Sequence, residues 1–366
     1  MHVVLAGGGT AGHIEPALNL ADALRRENPD IAITALGTER GLEMTLVPAR
    51  GYDLALIPAV PLPRKPSVDL LRLPSRLRSA VNEAGNVLTR THADVVVGFG
   101  GYVAMPAYLA ARRGSLPIVV HEANARAGLA NRIAARFTPF VAETVAGSLP
   151  HAEAIGLPLR PAIRDLDRAA LRAEAAEQFG LDPSLPTLLV FGGSQGARSL
   201  NNAIDASRSE LAEAGIQVLH SVGARNELPS DLSVSPAYRA VHYIDRMDWA
   251  YAACDVALCR AGAMTVAELT AVGLPAAFVP LPIGNGEQRL NAAPVVAAGG
   301  GLLVDDADLS ASWLRSHLIP LLQNPERLAQ ASAAAASLGR RHADEQLVQL
   351  VMRAVAGEAV STGGTR

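Results

Sequence analysis

Asp94-Val-Val-Val-Gly-Phe-Gly-Gly101, then a helical stretch, Gly114 and Leu116-Pro-Ile-Val-Val120, has a counterpart in Asp255-Val-Ala-Leu-Cys-Arg-Ala-Gly262, then a helical stretch, Gly273 and Leu274-Pro-Ala-Ala-Phe-Val279. Each reads as strand, glycine turn, helix, glycine, Leu-Pro, strand. A helix between two strands carries the chain back to its starting edge, so the strands it joins lie parallel.

The same alternation runs through the chain. Apolar runs at residues 3–5, 31–36, 95–97, 118–120, 188–191, 218–220, 256–258 and 276–279 are followed by turn residues and Ala/Leu-rich stretches. The pattern predicts an α/β fold with doubly wound parallel sheets and helices on both faces. Glycine loops at residues 7–12 and 192–196 each follow the first strand of a half. Two similar domains in tandem explain this: residues 1–157, residues 164–340, and a terminal stretch, 341–366. The last holds a helix over 344–355, expected to pack back on the N-terminal domain, and a frayed tail over 361–366. Between the domains, Gly156-Leu-Pro-Leu-Arg-Pro161 predicts an extended linker, because proline disfavours helix at the residue before it. The ligand cleft is expected there, between the carboxyl ends of two facing sheets.

Composition narrows the function. A length of 366 residues suits two cores better than one. An apolar fraction of 49% and a formal charge of −3 describe an ordinary globular chain, and no nucleic-acid partner is expected. Cys254 and Cys259 have no Cys/His cluster beside them to complete a zinc site, so both read as buried thiols in a reducing compartment. No signal peptide is expected at the start of the sequence, and the apolar runs are too short to span a membrane, so the chain reads as soluble and cytoplasmic. Lys65 is the only lysine, wedged between Arg64 and Pro66. That excludes a phosphate-binding loop of the GxxxxGK[ST] type and a pyridoxal Schiff base. No tightly bound cofactor is expected.

Gly7-Gly-Gly-Thr-Ala-Gly12 meets the GxGxxG pattern after a strand, where backbone amides can face an anion at a helix start. A dinucleotide site would add an acid at the end of the second strand, yet Gly37-Thr38 intervene before Glu39, so a nicotinamide cofactor is disfavoured. His13 follows the loop directly; with an unperturbed pKa of ~6.5 it reads as a general base or, more plainly, as a helix-capping histidine. Gly192-Gly-Ser-Gln-Gly-Ala-Arg198 offers either a second phosphate-sized nest containing the Ser194 hydroxyl or a structural turn. In Arg260-Ala-Gly-Ala-Met-Thr-Val-Ala-Glu268 a strand ends and a helix begins whose N-terminus can face a diphosphate. Glu268 then accepts from ribose hydroxyls or merely complements the helix dipole. Gly284-Asn-Gly-Glu-Gln-Arg-Leu-Asn291 gathers amides and acids suited to sugar hydroxyls. Asp306-Ala-Asp308 formally matches the Asp-x-Asp of metal-dependent sugar transferases, but its place before Ser310 reads as the cap of a helix beginning near Ala311. Helix termini and nests can hold a diphosphate, so no metal is required.

Taken together, residues 7–13, 98–102, 121–124, 192–197, 260–268 and 286–291 resemble the MurG family, the UDP-N-acetylglucosamine transferases of bacterial cell-wall synthesis, and the motifs come in the family's order across almost the whole chain. The resemblance implies a GT-B fold of two Rossmann-like domains. It implies inverting β-1,4 transfer of N-acetylglucosamine to the C4 hydroxyl of undecaprenyl-diphosphate-linked N-acetylmuramoyl-pentapeptide at the cytoplasmic face of the cell membrane. Partners among cell-wall synthesis and division proteins are implied too. By the same resemblance Thr10, Ala11, Gly12 and Asn124 meet the donor sugar or the acceptor, with Tyr102 beside them. Arg160, Ser194, Gln195 and Gly196 serve the nucleotide diphosphate, and Ile244 packs on uracil through its backbone region. Ala263, Met264, Thr265, Val266 and Glu268 bind diphosphate and ribose, while Gln288 and Asn291 serve sugar hydroxyls. His13 becomes the favoured base, with Glu122 the competitor. Ala11 stands where many members have glycine, and Leu157 where the linker often has asparagine, which leaves the linker's contacts open.

A lipid acceptor requires a membrane surface. Residues 64–90 hold Arg64, Lys65, Arg72, Arg76, Arg78 and Arg90 against Asp69 and Glu83, with Leu70, Leu71, Leu73 and Leu77 interleaved. Such a segment suits an anionic surface. Leu77, Val81, Ala84 and Leu88 also fall at helical spacing and read equally as a core face. Rival readings of the whole chain are a UDP-N-acetylglucosamine 2-epimerase of the same architecture, a nicotinamide-dependent dehydrogenase, and a non-catalytic sugar-nucleotide binding module.

Overall fold

A computed structural model describes residues 1–60, 68–229, 236–283 and 285–358, with the side chains of 68–72 outside that description. Lys65 with its neighbours Arg64 and Pro66, Gly284 and the tail over 361–366 therefore lie outside the described residues, as do the side chains of Asp69, Leu70, Leu71 and Arg72. The chain divides into two compact units, the first running from Met1 to Leu159 and resuming at His342, the second spanning Arg160–Arg341.

The first unit has seven strands: β1 (His2–Gly7), β2 (Ala32–Gly37), β3 (Asp53–Leu56), β4 (Val95–Gly100), β5 (Ile118–Glu122), β6 (Val141–Glu143) and β7 (Glu153–Ala154). All pairings are parallel, in the order β3-β2-β1-β4-β5-β6-β7. Side chains alternate across a strand, so successive residues of β1 and β4 enter different cores. Val3, Leu5, Val95 and Val97 meet the helix Ala11–Glu27 and the helix Ala343–Ala356. Val4, Ala6 and Val96 meet Ala84, Val87 and Leu88 of the helix Val68–Arg90 and Tyr108 of the helix Ala104–Arg113. Both faces are covered, and this is why the central strands read as unbroken apolar runs. The C-terminal helix is also tied down by charge: Arg26 meets the buried Asp344 at 2.6 Å and Arg353 meets Glu153 at 2.6 Å.

The second unit has six strands: β8 (Thr187–Phe191), β9 (Gln217–Ser221), β10 (Tyr238–Val241), β11 (Val256–Cys259), β12 (Ala276–Phe278) and β13 (Gly301–Leu303). These too are parallel, in the order β10-β9-β8-β11-β12-β13. Counted from its own first strand, each unit runs 3-2-1-4-5-6, the doubly wound order, and the first unit adds a seventh strand at the edge. Every strand expected from the sequence is present. The unexpected strands β3, β6, β7, β10 and β13 have two to four residues each and mostly lie toward the sheet edges, where a strand needs no long apolar run. Cys254 and Cys259 are free and fully buried, and burial pushes both thiols far up.

Of the expected linker, residues 156–161, the stretch 156–159 is fastened to the first unit. Leu157 and Leu159 are each 1% exposed, Asn19 Nδ2 donates to the Pro158 carbonyl at 2.8 Å, and the His121 ring meets the Gly156 carbonyl at 2.8 Å. The helix near Ala311 is capped by Ser310, whose hydroxyl accepts from the Trp313 amide, so Asp306 and Asp308 are not its cap.

Candidate active site

In each sheet the chain reverses its direction of growth between two neighbours, β1 and β4 in the first unit and β8 and β11 in the second. Connections leave opposite ways there and open a crevice beyond the carboxyl ends of the strands. Both glycine loops and both glycine turns quoted at the outset follow these four strands.

In the first unit the chain leaves β1 at Gly7, and extended backbone at Thr10 (φ −133°, ψ 154°) starts the helix Ala11–Glu27. Gly101, with φ +81°, packs so close that a Cβ there would overlap the Gly8 carbonyl, so the turn after β4 holds the loop after β1. Thr10, Ala11 and Gly12 are exposed and His13 is half-buried. Thr10 Oγ1 lies 3.1 Å from His13 Nδ1. Burial lowers the His13 pKa below 6.5; the Gly8 carbonyl acts the other way, favouring the imidazolium, but less strongly. At neutral pH the ring is therefore an uncharged base.

Glu122 ends β5 and is 3% exposed. Its Oε1 accepts from the Asn124 amide at 2.9 Å, and its Oε2 accepts from the Gly128 amide at 3.0 Å and Asn131 Nδ2 at 2.9 Å. Asn131 in turn accepts from Tyr108 Oη at 2.7 Å, and Gly98 makes room for that phenol, since a Cβ there would overlap it. Burial raises the Glu122 pKa although these bonds pull it down. A Cβ on Gly100 would stand 3.2 Å from His13 Nε2 and 3.6 Å from Asn131 Nδ2, so the histidine and the Glu122 network flank one small space. Asn124 is half-buried, and Tyr102 is 50% exposed with its ring beside Gly9.

The second unit is built differently. Ser194 and Gln195 are exposed at the tip of the loop after β8, with Gly196 half-buried. Asn226 steadies that loop by donating to the Gln195 carbonyl at 3.0 Å. The helix Ala263–Val272 begins after Gly262, with no side-chain cap and no acid in its first turn, so the amides over Ala263, Met264 and Thr265 lack partners within the helix, a start that suits an anion. Val266 is mostly buried behind them. Gln288 Oε1 accepts from the Ala261 amide at 3.2 Å and the Leu281 amide at 3.0 Å, which leaves its amide nitrogen as the donating end. Asn291 is 3% exposed and donates to the Ala261 carbonyl, so it braces the turn from behind. Glu268 is buried, held by Arg160 Nη2 at 3.2 Å and Tyr251 Oη at 2.8 Å, which aligns the carboxylate more firmly than dipole complementarity requires. Ile244 has its side chain buried. Asp306 pairs with Arg260 and accepts from Ser199 Oγ at 2.6 Å, so it ties loops together. Among the described residues no group of three His, Cys, Asp or Glu side chains can hold a metal.

Tyr108, Asn131, Tyr251 and Glu43 escaped the sequence reading. No local motif marks them, since each is linked to its partner only by the fold. Glu43 is instructive, because the acid sought near the end of the second strand was Glu39, which is exposed. Four residues on, the Glu43 carboxylate turns back to accept from the Thr38 amide just past that strand.

The chain matches the model of the glycosyltransferase family 28 N-terminal domain over residues 3–142 and that of the family's C-terminal domain over residues 187–347. It is similar to the UDP-N-acetylglucosamine–N-acetylmuramyl-(pentapeptide) pyrophosphoryl-undecaprenol N-acetylglucosamine transferase of Streptomyces coelicolor, 64% identical over 362 residues that cover 98% of this chain and 100% of that one. The protein of the same name from Mycolicibacterium smegmatis is 61% identical over 358 residues, 96% and 93% of the two chains. The crystal structure of Acinetobacter baumannii MurG matches with a TM-score of 0.78 and 27% identity, covering 96% of this chain and 99% of that one.

Proposed function

The chain belongs to glycosyltransferase family 28, and on that premise we propose that it transfers N-acetylglucosamine from UDP-N-acetylglucosamine to the C4 hydroxyl of undecaprenyl-diphosphate-linked N-acetylmuramoyl-pentapeptide, with inversion and without a metal. The observation that carries the reading is full-length identity of 64% to a transferase of that name, on a chain whose two units hold complementary chemistry. An inverting displacement needs a base for the attacking hydroxyl and stabilisation of the departing diphosphate. The first unit supplies His13. In the tautomer whose Nδ1–H donates to Thr10, Nε2 takes the proton, and the Gly8 carbonyl steadies the imidazolium that forms. The second unit supplies the diphosphate cradle: the Ser194–Gly196 loop, the uncapped helix start at Ala263, and Arg160. Glu268 takes the ribose hydroxyls and Gln288 the sugar hydroxyls, while Ile244 lies against uracil. Glu122 orders the loop bearing Asn124, because its oxygens are already engaged by that loop's donors and by Asn131.

The test is transfer of labelled N-acetylglucosamine to a short-chain lipid-linked acceptor in buffer containing a chelator. Transfer unchanged by the chelator is the expected result; a loss of more than tenfold, restored by a divalent cation, would sink the metal-free reading. Turnover of the donor alone would favour the epimerase.

The acceptor's lipid places the reaction at an anionic membrane surface. No described helix is long and apolar enough to cross a membrane. The helix Val68–Arg90 serves two masters: Ala84 and Leu88 are buried in the core, while Arg76 and Arg78 are exposed. Each basic residue near an anionic bilayer is worth ~1 kcal/mol. Reversing Arg72, Arg76 and Arg78 to glutamate is therefore expected to weaken binding to anionic liposomes by about a hundredfold or more, with donor affinity unchanged. Undiminished liposome binding would remove this surface from the proposal.

A further inference from the structure

Of the loops beyond the carboxyl ends of β8 to β12 in the second unit, all but the one after β9 hold a group proposed to meet the donor. In the order of the sheet that loop stands between the one bearing Ile244 and the one bearing Ser194. Two glycines lock it to the latter. Gly223, at φ +101°, packs so close that a Cβ would lie 2.3 Å from the Gly196 nitrogen, and a Cβ on Gly196, at φ +71°, would lie 2.0 Å from the Val222 carbonyl oxygen. The Ala224 amide donates to the Ser194 carbonyl at 3.1 Å, and Asn226 Nδ2 donates to the carbonyls of Gln195 and Val222 at 3.0 and 2.7 Å. A trans peptide sets its carbonyl and its N–H in opposite directions, so drawing the Ser194 carbonyl to one side turns the Gln195 amide to the other. Arg225 lies between the two anchors Ala224 and Asn226, on backbone held at both neighbours, with its side chain exposed.

The arginines of the neighbouring loops are already paired: Arg160 with Glu268, Arg246 with Asp248, Arg260 with Asp306 and Arg289 with Asp305. Among the described residues Arg225 has no partner. Arg198 has none either, but it stands opposite the face of its helix that carries Leu200, Ala203 and Ile204 into the core. We propose that Arg225 contacts the donor's diphosphate and takes up the charge that it gains on departure. The inference rests on the transferase reading above. As the acceptor's C4 oxygen bonds to C1 of N-acetylglucosamine and its proton passes to His13, the bond from C1 to the diphosphate oxygen breaks and both its electrons leave with UDP. That oxygen becomes an anion, and positive charge fixed beside it lowers the barrier. A guanidinium is always charged and meets phosphate oxygens in a matching planar fork. No neighbouring carboxylate cancels the charge of Arg225.

Calorimetric binding of UDP and of uridine compares the full-length protein with Arg225→Ala and Arg225→Glu, at about 0.15 M salt, where charges more than about 8 Å apart are largely screened. Uridine lacks the phosphates and reports on the rest of the site. Arg225→Ala is expected to weaken UDP about tenfold and uridine less than twofold, and Arg225→Glu to weaken UDP at least tenfold further. In the transfer assay kcat is expected to fall about tenfold in Arg225→Ala, with acceptor KM within twofold of wild type. UDP affinity within threefold of wild type in Arg225→Ala, or UDP bound no more weakly by Arg225→Glu than by Arg225→Ala, would overturn the contact. An unchanged kcat would overturn the role in departure. An exposed side chain without a partner is replaced without loss of the fold, and Tm on the same preparations checks this: a lowered Tm with equal losses for UDP and uridine would mark a merely structural residue and overturn the proposal. Failure of wild type to transfer the sugar while it binds UDP would instead overturn the function, and the two binding measurements would still decide the contact.

Discussion

His13→Ala is expected to lower kcat by about 10²- to 10⁴-fold, the usual contribution of a positioned general base, while UDP binding stays within twofold of wild type. Arg160, Glu268 and Gln288, the groups proposed to hold the donor, all belong to the second unit, whereas His13 belongs to the first. The pH profile gives an independent reading. Because burial lowers the His13 pKa below 6.5, the ring is neutral at pH 7 and remains so into mildly acid solution. Activity is then lost as pH falls through that lowered pKa, so the acid limb of kcat should have its midpoint below 6.5, and the variant's residual activity should lack that limb. A midpoint above 6.5, or a variant within fivefold of wild type, would exclude His13 as the base.

Glu122→Ala is expected to fail through stability. The substitution leaves the amides of Asn124 and Gly128 and the Asn131 side chain without their acceptor in a site that is 3% exposed. Breaking a buried, charged network of this kind costs about 3–5 kcal/mol, which for a unit of this size lowers Tm by roughly 6–20 °C. Activity should fall as well, because the loop bearing Asn124 loses its anchor. Glutamine should restore part of the Tm, since its carbonyl oxygen can still accept on one side. A Glu122→Ala protein that melts like wild type but transfers no sugar would reverse the assignment, with Glu122 the base and His13 its neighbour. Calorimetry and the transfer assay on the same preparation separate these outcomes.

Local chemistry explains which parts of the molecule were legible beforehand. Strands β1, β4, β8 and β11 lie at the centre of their sheets with both faces covered, so each had to be an apolar run of its own. Outer strands such as β7, two residues long, carry no such demand and left no trace. His13 could be singled out because a glycine loop fixes where the next helix starts. Thr10, Ser194 and the helix start at Ala263 were legible for the same reason, since the loop, turn and helix signals are consecutive residues.

The sequence by itself determined that the chain is two parallel α/β units in tandem, that each carries a glycine loop after its first strand, and that a histidine adjoins only the first. Strand, turn and helix are local preferences reinforced by periodicity, so they are written where they occur. Only the tertiary structure decided which side chains stand together. Glu43 reaches Gly9 across 34 residues of chain, Asn131 reaches Glu122 from a separate helix, and Arg160 reaches Glu268 across 108. A buried carboxylate is defined by the donors folded around it, and those donors come from distant segments that no local pattern connects.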